Sequence, residues 1–195
     1  NRAFIVTDKG VLKTGYIERI QQLLKEADVE SDVFSDVDPN PRDRSVQKGL
    51  KKAAKFKTEL LVGVGGGSAI DTAKAIGVIL QEGGKIQDYE GLDRVKKPIT
   101  PLIAVPTTAG TGTEVTFWSV ITDTKRKFKM SIGSPLMAAK VALVDPMLTL
   151  TLPKEVTAFT GIDALVHAIE GYTSMLSQPV SDSLALSAIE HISHN

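Results

Sequence analysis

The segment VGVGGGSAID, residues 62–71, decides how this chain folds, because a short apolar run leads directly into three consecutive glycines and then into a helical pattern. A buried strand, a glycine turn and a helix in that order are typical of a βαβ unit. Glycines let backbone N–H groups approach a ligand closely, and a helix N-terminus carries partial positive charge. The segment therefore favours a pyrophosphate-binding turn in an α/β domain.

A simple structural turn is the alternative interpretation of the same residues. The spacing Gly63-x-Gly65-x-x-Ser68 is close to the usual dinucleotide fingerprint but does not match it, and it follows the third predicted strand instead of the first. Ser68-x-x-Asp71 also matches a capping box, which needs no ligand. Three successive glycines exceed what such a turn requires.

Strand-like and helical segments alternate on both sides of this segment. The strand-like runs are Ala3–Thr7, Ser31–Phe34, Leu60–Val64 and Leu102–Val105. The helical runs are Val11–Ala27, Arg42–Phe56 and Ser68–Leu80. This alternation predicts a doubly wound, mostly parallel, Rossmann-like sheet.

The pattern changes after residue 118. Three strand-like runs with short connections follow, and a hairpin beside the sheet is expected among them: Val120–Thr122, Lys127–Ile132 and Val141–Val144. Beyond Pro146 the chain reads as helix, so we place a boundary near residue 150. The predicted domains are a nucleotide-binding α/β domain at 1–150 and the first helices of an all-α domain at 151–195. Both ends are abrupt, which predicts a piece of a longer protein.

The composition is that of an ordinary globular protein and excludes several classes. Among 195 residues, 42% are hydrophobic and 24% charged, with 23 basic and 23 acidic side chains. This balance argues against nucleic-acid or anionic-membrane partners, and no apolar run is long enough to span a bilayer. Absence of cysteine excludes disulfides and thiolate chemistry, and it fits a cytoplasmic protein.

A second polar loop, PTTAGTGTE at residues 106–114, follows the fourth predicted strand. Loops at the carboxyl ends of parallel strands line the ligand crevice, and small hydroxyl residues suit a phosphate or a ribose. Thr111-x-x-Glu114 fits a capping box equally well, so both interpretations stay open.

Asp163 and His167 are four residues apart in a helical region, so both project from one helix face and can bind one divalent metal. The alternative is structural: Thr160-x-x-Asp163 is a third capping-box match, and His167 is then a packed histidine. Two ligands are fewer than the three that catalytic sites ordinarily use.

Taken together, these motifs resemble the group III, iron-activated alcohol dehydrogenase family over essentially the whole chain. The glycine segment at 65–71, the threonine segment at 106–114 and the stretch from 144 to 170 carry the resemblance. The nearest branch is that of lactaldehyde/propanediol oxidoreductases and methanol or butanol dehydrogenases. The resemblance implies a dehydroquinate synthase-like architecture and NAD-dependent hydride transfer between a small primary alcohol and its aldehyde, in a cytoplasmic homodimer or larger homo-oligomer.

The resemblance also assigns roles to particular residues. Asp8 would lie by the adenosine ribose and favour NAD over NADP, and Asn40 would lie near the adenine. The remaining cofactor contacts that it implies are Gly66, Gly67 and Ser68 at the pyrophosphate, Thr107, Thr108 and Thr111 at phosphate and nicotinamide, Lys129 facing the cofactor, and Leu148 beneath the nicotinamide.

Asp163 and His167 match the first two of the family's four metal ligands, with Fe²⁺ expected and Zn²⁺ as the alternative. The other two are histidines farther along the chain than this sequence extends. His191 and His194 are too close to His167 to replace them and are expected to face solvent. The piece alone is therefore expected to be inactive. Alternative functions are a glycerol dehydrogenase-like polyol oxidoreductase and a non-catalytic nucleotide-binding fragment.

Overall fold

Five parallel strands form the centre of the fold in the computed structural model, which describes residues 1–194. The strands of the whole structure are β1 Arg2–Val6, β2 Glu30–Phe34, β3 Leu60–Gly65, β4 Gly91–Leu92, β5 Leu102–Pro106, β6 Trp118–Asp123, β7 Phe128–Gly133 and β8 Val141–Ala142. The helices are α1 Lys9–Leu12, α2 Tyr16–Glu26, α3 Asp43–Phe56, α4 Gly67–Glu82, α5 Lys154–Thr173 and α6 Pro179–Ser193. The main sheet has the order β2-β1-β3-β5-β8, with every neighbouring pair parallel.

This order confirms the predicted doubly wound sheet and places its reversal between β1 and β3. From β1 the chain moves outward to β2, and from β3 it moves outward in the opposite direction to β5 and β8. In open α/β sheets, ligands bind beyond the carboxyl ends of the two strands that flank such a reversal. The glycine segment at the end of β3 stands at that position.

Both faces of the sheet are covered because the strand side chains alternate between two apolar clusters. Phe4 and Val6 of β1 are fully buried on the face that α3 and α4 cover. Ala3 and Ile5 are fully buried on the opposite face, beneath α1 and α2. A strand buried on both faces is apolar at every position, which explains its continuous apolar run.

The helix predicted over Val11–Ala27 is in fact two helices, α1 and α2. Gly15, with φ of +84°, separates them and takes the N-cap position of α2. Glycine adopts this left-handed conformation at little cost, so the chain turns there. Helical spacing alone does not reveal such a break.

The predicted hairpin is confirmed, although one of its three segments belongs elsewhere. Antiparallel β6 and β7 pair from Trp118↔Gly133 to Asp123↔Phe128, and short β4 adds to β7. The segment expected over Val141–Val144 shortens to β8, which joins the main sheet beside β5.

The last two helices, α5 and α6, pack against each other and leave much of their apolar surface exposed. Ala168 and Ala185 are buried, whereas Phe159 is 73% exposed and Leu184 is 68% exposed. Within residues 1–194, no helix combines the length and apolarity needed to cross a membrane.

Lys57 ends α3 in the left-handed conformation, with φ of +57°, and its N–H donates to the carbonyls of Ala53 and Ala54. A residue with a side chain is destabilised by about 1 kcal/mol in this conformation, whereas glycine adopts it without that cost. We therefore expect Lys57→Gly to raise the free energy of unfolding by up to about 1 kcal/mol, measured by urea denaturation.

Lys55→Gly is the matched control, since Lys55 is an exposed residue inside the last turn of the same helix. It should lower the free energy of unfolding by about 1 kcal/mol, the ordinary cost of glycine in a helix. Equal effects of the two substitutions would contradict the assigned conformation of Lys57.

Candidate cofactor and metal cleft

The N-terminus of α4 is open to a ligand because no side chain caps it. Gly66 is the N-cap residue and no side chain in the described part of the chain accepts the first-turn N–H groups. Ser68 lies inside the helix, so the predicted Ser68-x-x-Asp71 capping box is wrong. The positive end of a 16-residue helix therefore stays available for an anion such as a pyrophosphate.

Asp8 has two functions at the end of β1, one per carboxylate oxygen. Its Oδ1 caps α1 by accepting hydrogen bonds from the N–H groups of Gly10 at 2.7 Å and Val11 at 3.0 Å. Its Oδ2 faces Gly65, where an added Cβ would come within 3.2 Å. Asp8 therefore stabilises a helix and also brings negative charge to the glycines.

The threonine loop, residues 107–116, packs directly on the glycines. The N–H of Thr107 donates to the carbonyl of Gly65 at 3.1 Å. A methyl group at Gly66 would lie 3.2 Å from Cγ2 of Thr108, and one at Gly67 would lie 2.8 Å from Cγ2 of Thr111. The packing of the threonine loop therefore requires glycine at positions 66 and 67. This reason for the two glycines cannot be seen in the sequence.

The predicted Thr111-x-x-Glu114 capping box is also wrong. A short 3-10 turn spans Thr113–Val115, and its N-cap is Gly112, whose φ is +62°. The Thr111 hydroxyl accepts one long bond, 3.4 Å, from the N–H of Thr113. Thr111 therefore faces Gly67 and the cleft and does not start a helix.

A buried polar cluster on α4 holds the threonine loop and β6. Asp71 accepts the Thr113 hydroxyl at 2.5 Å and the Val120 N–H at 3.0 Å. Lys74, which is fully buried, donates to the carbonyls of Thr113, Thr116 and Trp118 at 2.6, 2.8 and 2.8 Å. The sequence analysis missed the role of Lys74, because its acceptors lie about forty residues away and only the fold brings them near.

Burial shifts both ionisable groups of this cluster toward their neutral forms. It raises the pKa of the Asp71 carboxyl, and the hydrogen bonds from Thr113 and Val120 oppose that rise. It lowers the pKa of Lys74 to about 8, and the carboxylates of Asp71 and Glu114 counteract the fall.

These elements surround a cleft of about 660 Å³. Seven predicted site residues line it: Asn40, Gly67, Ser68, Thr111, Lys129, Asp163 and His167. Five others do not: Asp8, Gly66, Thr107, Thr108 and Leu148. Of these five, Asp8, Gly66, Thr107 and Thr108 lie at or beside the glycines, whereas Leu148 packs against the apolar cluster beneath α1 and α2.

The wall opposite α4 is one face of the β6–β7 hairpin. Trp118, Val120 and Thr122 alternate along β6 toward the cleft, and Lys129 of β7 pairs with Thr122. The N–H of Thr122 donates to the Pro41 carbonyl at 2.7 Å, which ties this wall to the Asn40 end of the cleft. Sequence reasoning missed Trp118, although an exposed tryptophan on an alternating strand is a signal that can be recognised.

Asp163 and His167 lie on the same face of α5 and reach the cleft from its other side. Helix α5 begins after Pro153, so the predicted Thr160-x-x-Asp163 capping box is wrong. Nε2 of His167 is 3.9 Å from Oδ1 of Asp163, and both side chains are about half exposed. Two atoms bound to one ion at about 2.1 Å are about 3 to 3.4 Å apart, so a small rotation fits the pair to one metal.

Asp163 and His167 are the two candidate metal ligands that the described residues place here. Within residues 1–194, no group of three or more His, Asp, Glu or Cys side chains is arranged to hold a metal ion. His191 and His194 are exposed at the end of α6, as expected, and neither lines the cleft.

Comparisons with known proteins identify the family of this chain. A model of the family "Iron-containing alcohol dehydrogenase" matches residues 1–146, and one described as "Fe-containing alcohol dehydrogenase family, C-terminal" matches residues 157–195. The chain is 50% identical to choline dehydrogenase of Bacillus subtilis (strain 168), covering 100% of this chain and 49% of that protein. It is 42% identical to the NAD-dependent methanol dehydrogenase of Bacillus methanolicus, covering 98% of this chain and 50% of that protein.

A crystal structure of 1,3-propanediol oxidoreductase superimposes with a TM-score of 0.96 at 40% identity, over 100% of this chain and 51% of that one. The chain thus spans about half the length of the relatives that it matches. Since the family model covers residues 1–146 of the 195, the chain belongs to the iron-containing alcohol dehydrogenase family.

Proposed function

We propose that the full-length protein is an NAD-dependent oxidoreductase that transfers hydride between a small primary alcohol or aldehyde and the nicotinamide, assisted by a divalent metal. The observation that carries this proposal is that one cleft of about 660 Å³ joins an uncapped helix N-terminus to an aspartate–histidine pair. A cofactor bound at the helix N-terminus and an alcohol bound to a metal at the aspartate–histidine pair would meet in this cleft. The NAD-dependent methanol dehydrogenase among the relatives supports the choice of cofactor.

In this proposal the cofactor lies along the wall between the glycines and the hairpin. Gly66, Gly67 and Ser68 hold the pyrophosphate with backbone N–H groups at the positive end of α4. The other residues act as follows: Asp8 accepts the ribose hydroxyls, Asn40 borders the adenine, Thr107, Thr108 and Thr111 support phosphate and nicotinamide, Lys129 faces the cofactor, and Leu148 lies beneath the nicotinamide.

Asp163 and His167 hold the metal, Fe²⁺ by family with Zn²⁺ as the alternative. A bound divalent ion supplies Lewis acidity at the alcohol oxygen, and the nicotinamide accepts the hydride. The residues of this chain orient that ion on the face of α5 that borders the cleft. We infer that its further ligands come from residues beyond this sequence, so residues 1–195 alone are inactive.

The proposal also covers the domains, the cellular compartment and the oligomeric state of the protein. We propose that residues 1–150 form the nucleotide domain and that residues 151–195 begin an all-α metal-binding domain, because the apolar surface of α5 and α6 is largely exposed. We further propose a cytoplasmic homodimer or larger homo-oligomer. The absence of cysteine agrees with a reducing compartment.

A primary alcohol that bears a quaternary ammonium group is a second candidate substrate. The relative from Bacillus subtilis is a choline dehydrogenase, and Trp118 of this chain lines the cleft with its side chain 38% exposed. Quaternary ammonium ions bind favourably over tryptophan faces. A substrate panel that contains choline beside methanol, 1-butanol, 1,3-propanediol and glycerol separates these candidates.

The first test concerns cofactor choice at Asp8. Asp8→Asn keeps an oxygen that caps α1 but removes the negative charge that would repel a 2′-phosphate. We expect the ratio of NADP to NAD use by the full-length enzyme to rise on the order of tenfold, measured as kcat/KM with each cofactor. Asp28→Asn, which removes an exposed carboxylate after α2, should not change the ratio. Preference of the unmodified enzyme for NADP would overturn the role of Asp8.

The second test concerns Gly67. A valine there would displace Thr111, whose Cγ2 lies 2.8 Å from the position of the added Cβ, and would narrow the entrance to the α4 N-terminus. Gly67→Val should weaken NAD binding by at least tenfold, about 1.4 kcal/mol, without unfolding the domain. Ala54→Val, on the exposed side of α3, is the control for added helical bulk. Calorimetry that shows unchanged affinity in folded Gly67→Val would reduce the loop to a structural turn.

The third test decides the function itself. Full-length protein supplied with iron or zinc should oxidise a small primary alcohol with NAD, and His167→Ala should lose both the metal and turnover while NAD affinity is largely kept. His194→Ala, an exposed residue outside the cleft, should retain both. If elemental analysis finds stoichiometric metal in dialysed, active His167→Ala protein, the pair is structural. Lack of NAD-linked activity with every alcohol would refute the proposed function.

A further inference from the structure

Lys74 lies behind the cleft wall, and the proposed function gives it no role. It is a fully buried lysine that forms no ion pair with a carboxylate within residues 1–194, and its Nζ lies among the carbonyls of Thr113, Thr116 and Trp118. The Thr113 hydroxyl is a fourth neighbour at 3.3 Å. Burying a charged amine is costly, and an apolar residue in a helix facing a sheet would avoid that cost.

The turn itself supplies one backbone hydrogen bond to these three carbonyls, a long one of 3.4 Å from the Thr116 N–H to the Thr113 carbonyl. Between residue 113 and the start of β6 the chain crosses α4, and the carbonyls of Thr113, Thr116 and Trp118 point inward, toward the helix. Buried carbonyls need donors, and an ammonium group supplies three from one point. Lys74 therefore determines the path of this backbone more strongly than any apolar side chain would.

The same backbone carries the side chains that line the cleft. Thr111 precedes the anchored segment and faces Gly67, whereas Trp118 ends the segment and Val120 follows it on the opposite wall. Asp71 adds a second anchor by accepting from Thr113 and Val120. Lys74 itself does not line the cleft, so any effect on a ligand must pass through this backbone.

We propose that Lys74 is a positioning residue for the cofactor: its ammonium group anchors the threonine loop and the start of β6 in the shape that NAD requires, and loss of its proton loosens that shape. This inference rests on the proposed function. According to this inference, the protonation state of a side chain outside the cleft controls the affinity for NAD.

The charges around Lys74 set the range of pH in which this control operates. Asp71 on its own helix and Glu114 in the threonine loop are the charged groups that face it, and β6 offers a carbonyl. Burial outweighs both carboxylates and lowers the pKa of Lys74 from 10.5 to about 8. The ammonium is therefore present below pH 8 and is lost above it.

Stability and affinity should respond to this titration in opposite directions. Between pH 8 and 10.5 the unfolded chain still binds the proton that folded Lys74 has lost, so the contribution of Lys74 to stability rises with pH. Cofactor affinity falls over the same range, because the anchored shape needs the proton. A lysine with a merely structural role would change stability with pH and leave affinity unaffected.

The experiment is an NADH fluorescence titration of the full-length, metal-loaded protein from pH 7 to pH 10, beside Lys74→Met and Lys74→Arg. In the unmodified protein the affinity should fall about tenfold as pH rises through 8. Lys74→Met should bind about tenfold more weakly at pH 7 and lose the pH dependence, with KM for NAD rising more than kcat falls. Lys74→Arg, which keeps its charge at every pH tested, should restore binding without the fall above pH 8.

The profile of the unmodified protein tests the idea even if a variant does not fold. A flat affinity between pH 7 and pH 10, or a fall that persists unchanged in folded Lys74→Met, would overturn the role of Lys74 and leave the proposed function standing. Failure of the unmodified protein to bind NADH at any pH would instead refute the proposed function.

Discussion

The rest of the cleft depends on the close approach of two backbones, the glycines at the end of β3 and the threonine loop. Gly66 and Gly67 lie so near Thr108 and Thr111 that a single methyl group at either position would press on a threonine side chain. Gly66, which has no side chain, leaves the positive end of α4 without a side-chain cap. The close contact of the glycines with the threonines also positions the loop that leads to the hairpin wall. A side chain here would disturb both, so one steric constraint links the anion site to the opposite wall.

Much of the fold could be predicted because it depends on local patterns. The continuous apolar strands, the alternation with helices and the glycine segment are all features of neighbouring residues, and each led to the correct doubly wound sheet. The break at Gly15 was missed because helical spacing continues across it. Likewise, Val141 was grouped with the hairpin, since nothing in a two-residue strand reveals that its partner is β5.

Several features of the candidate site could not be predicted from local sequence patterns. Three capping boxes were weighed as alternatives and none of them forms, because the helix starts are set by Gly66, Gly112 and Pro153 instead. The four-residue pattern is short and occurs wherever threonine or serine precedes an acid. Lys74 was given no role, since its three acceptors are distant in sequence. Asp8 was read for its charge, and its hydrogen bonds to α1 emerged only with the fold.

The exposed apolar side of α5 and α6 affects how the chain behaves in solution. The sheet is complete once β8 has formed, and both its faces are then covered. Met175 and Leu176, at the turn between the two last helices, remain 102% and 87% exposed. Residues 1–194 therefore combine a sheet covered on both faces with an exposed apolar surface on α5 and α6. Such surfaces attract one another at ordinary cellular concentrations. The exposed apolar side of α5 and α6 is therefore the part of the described structure most prone to self-association.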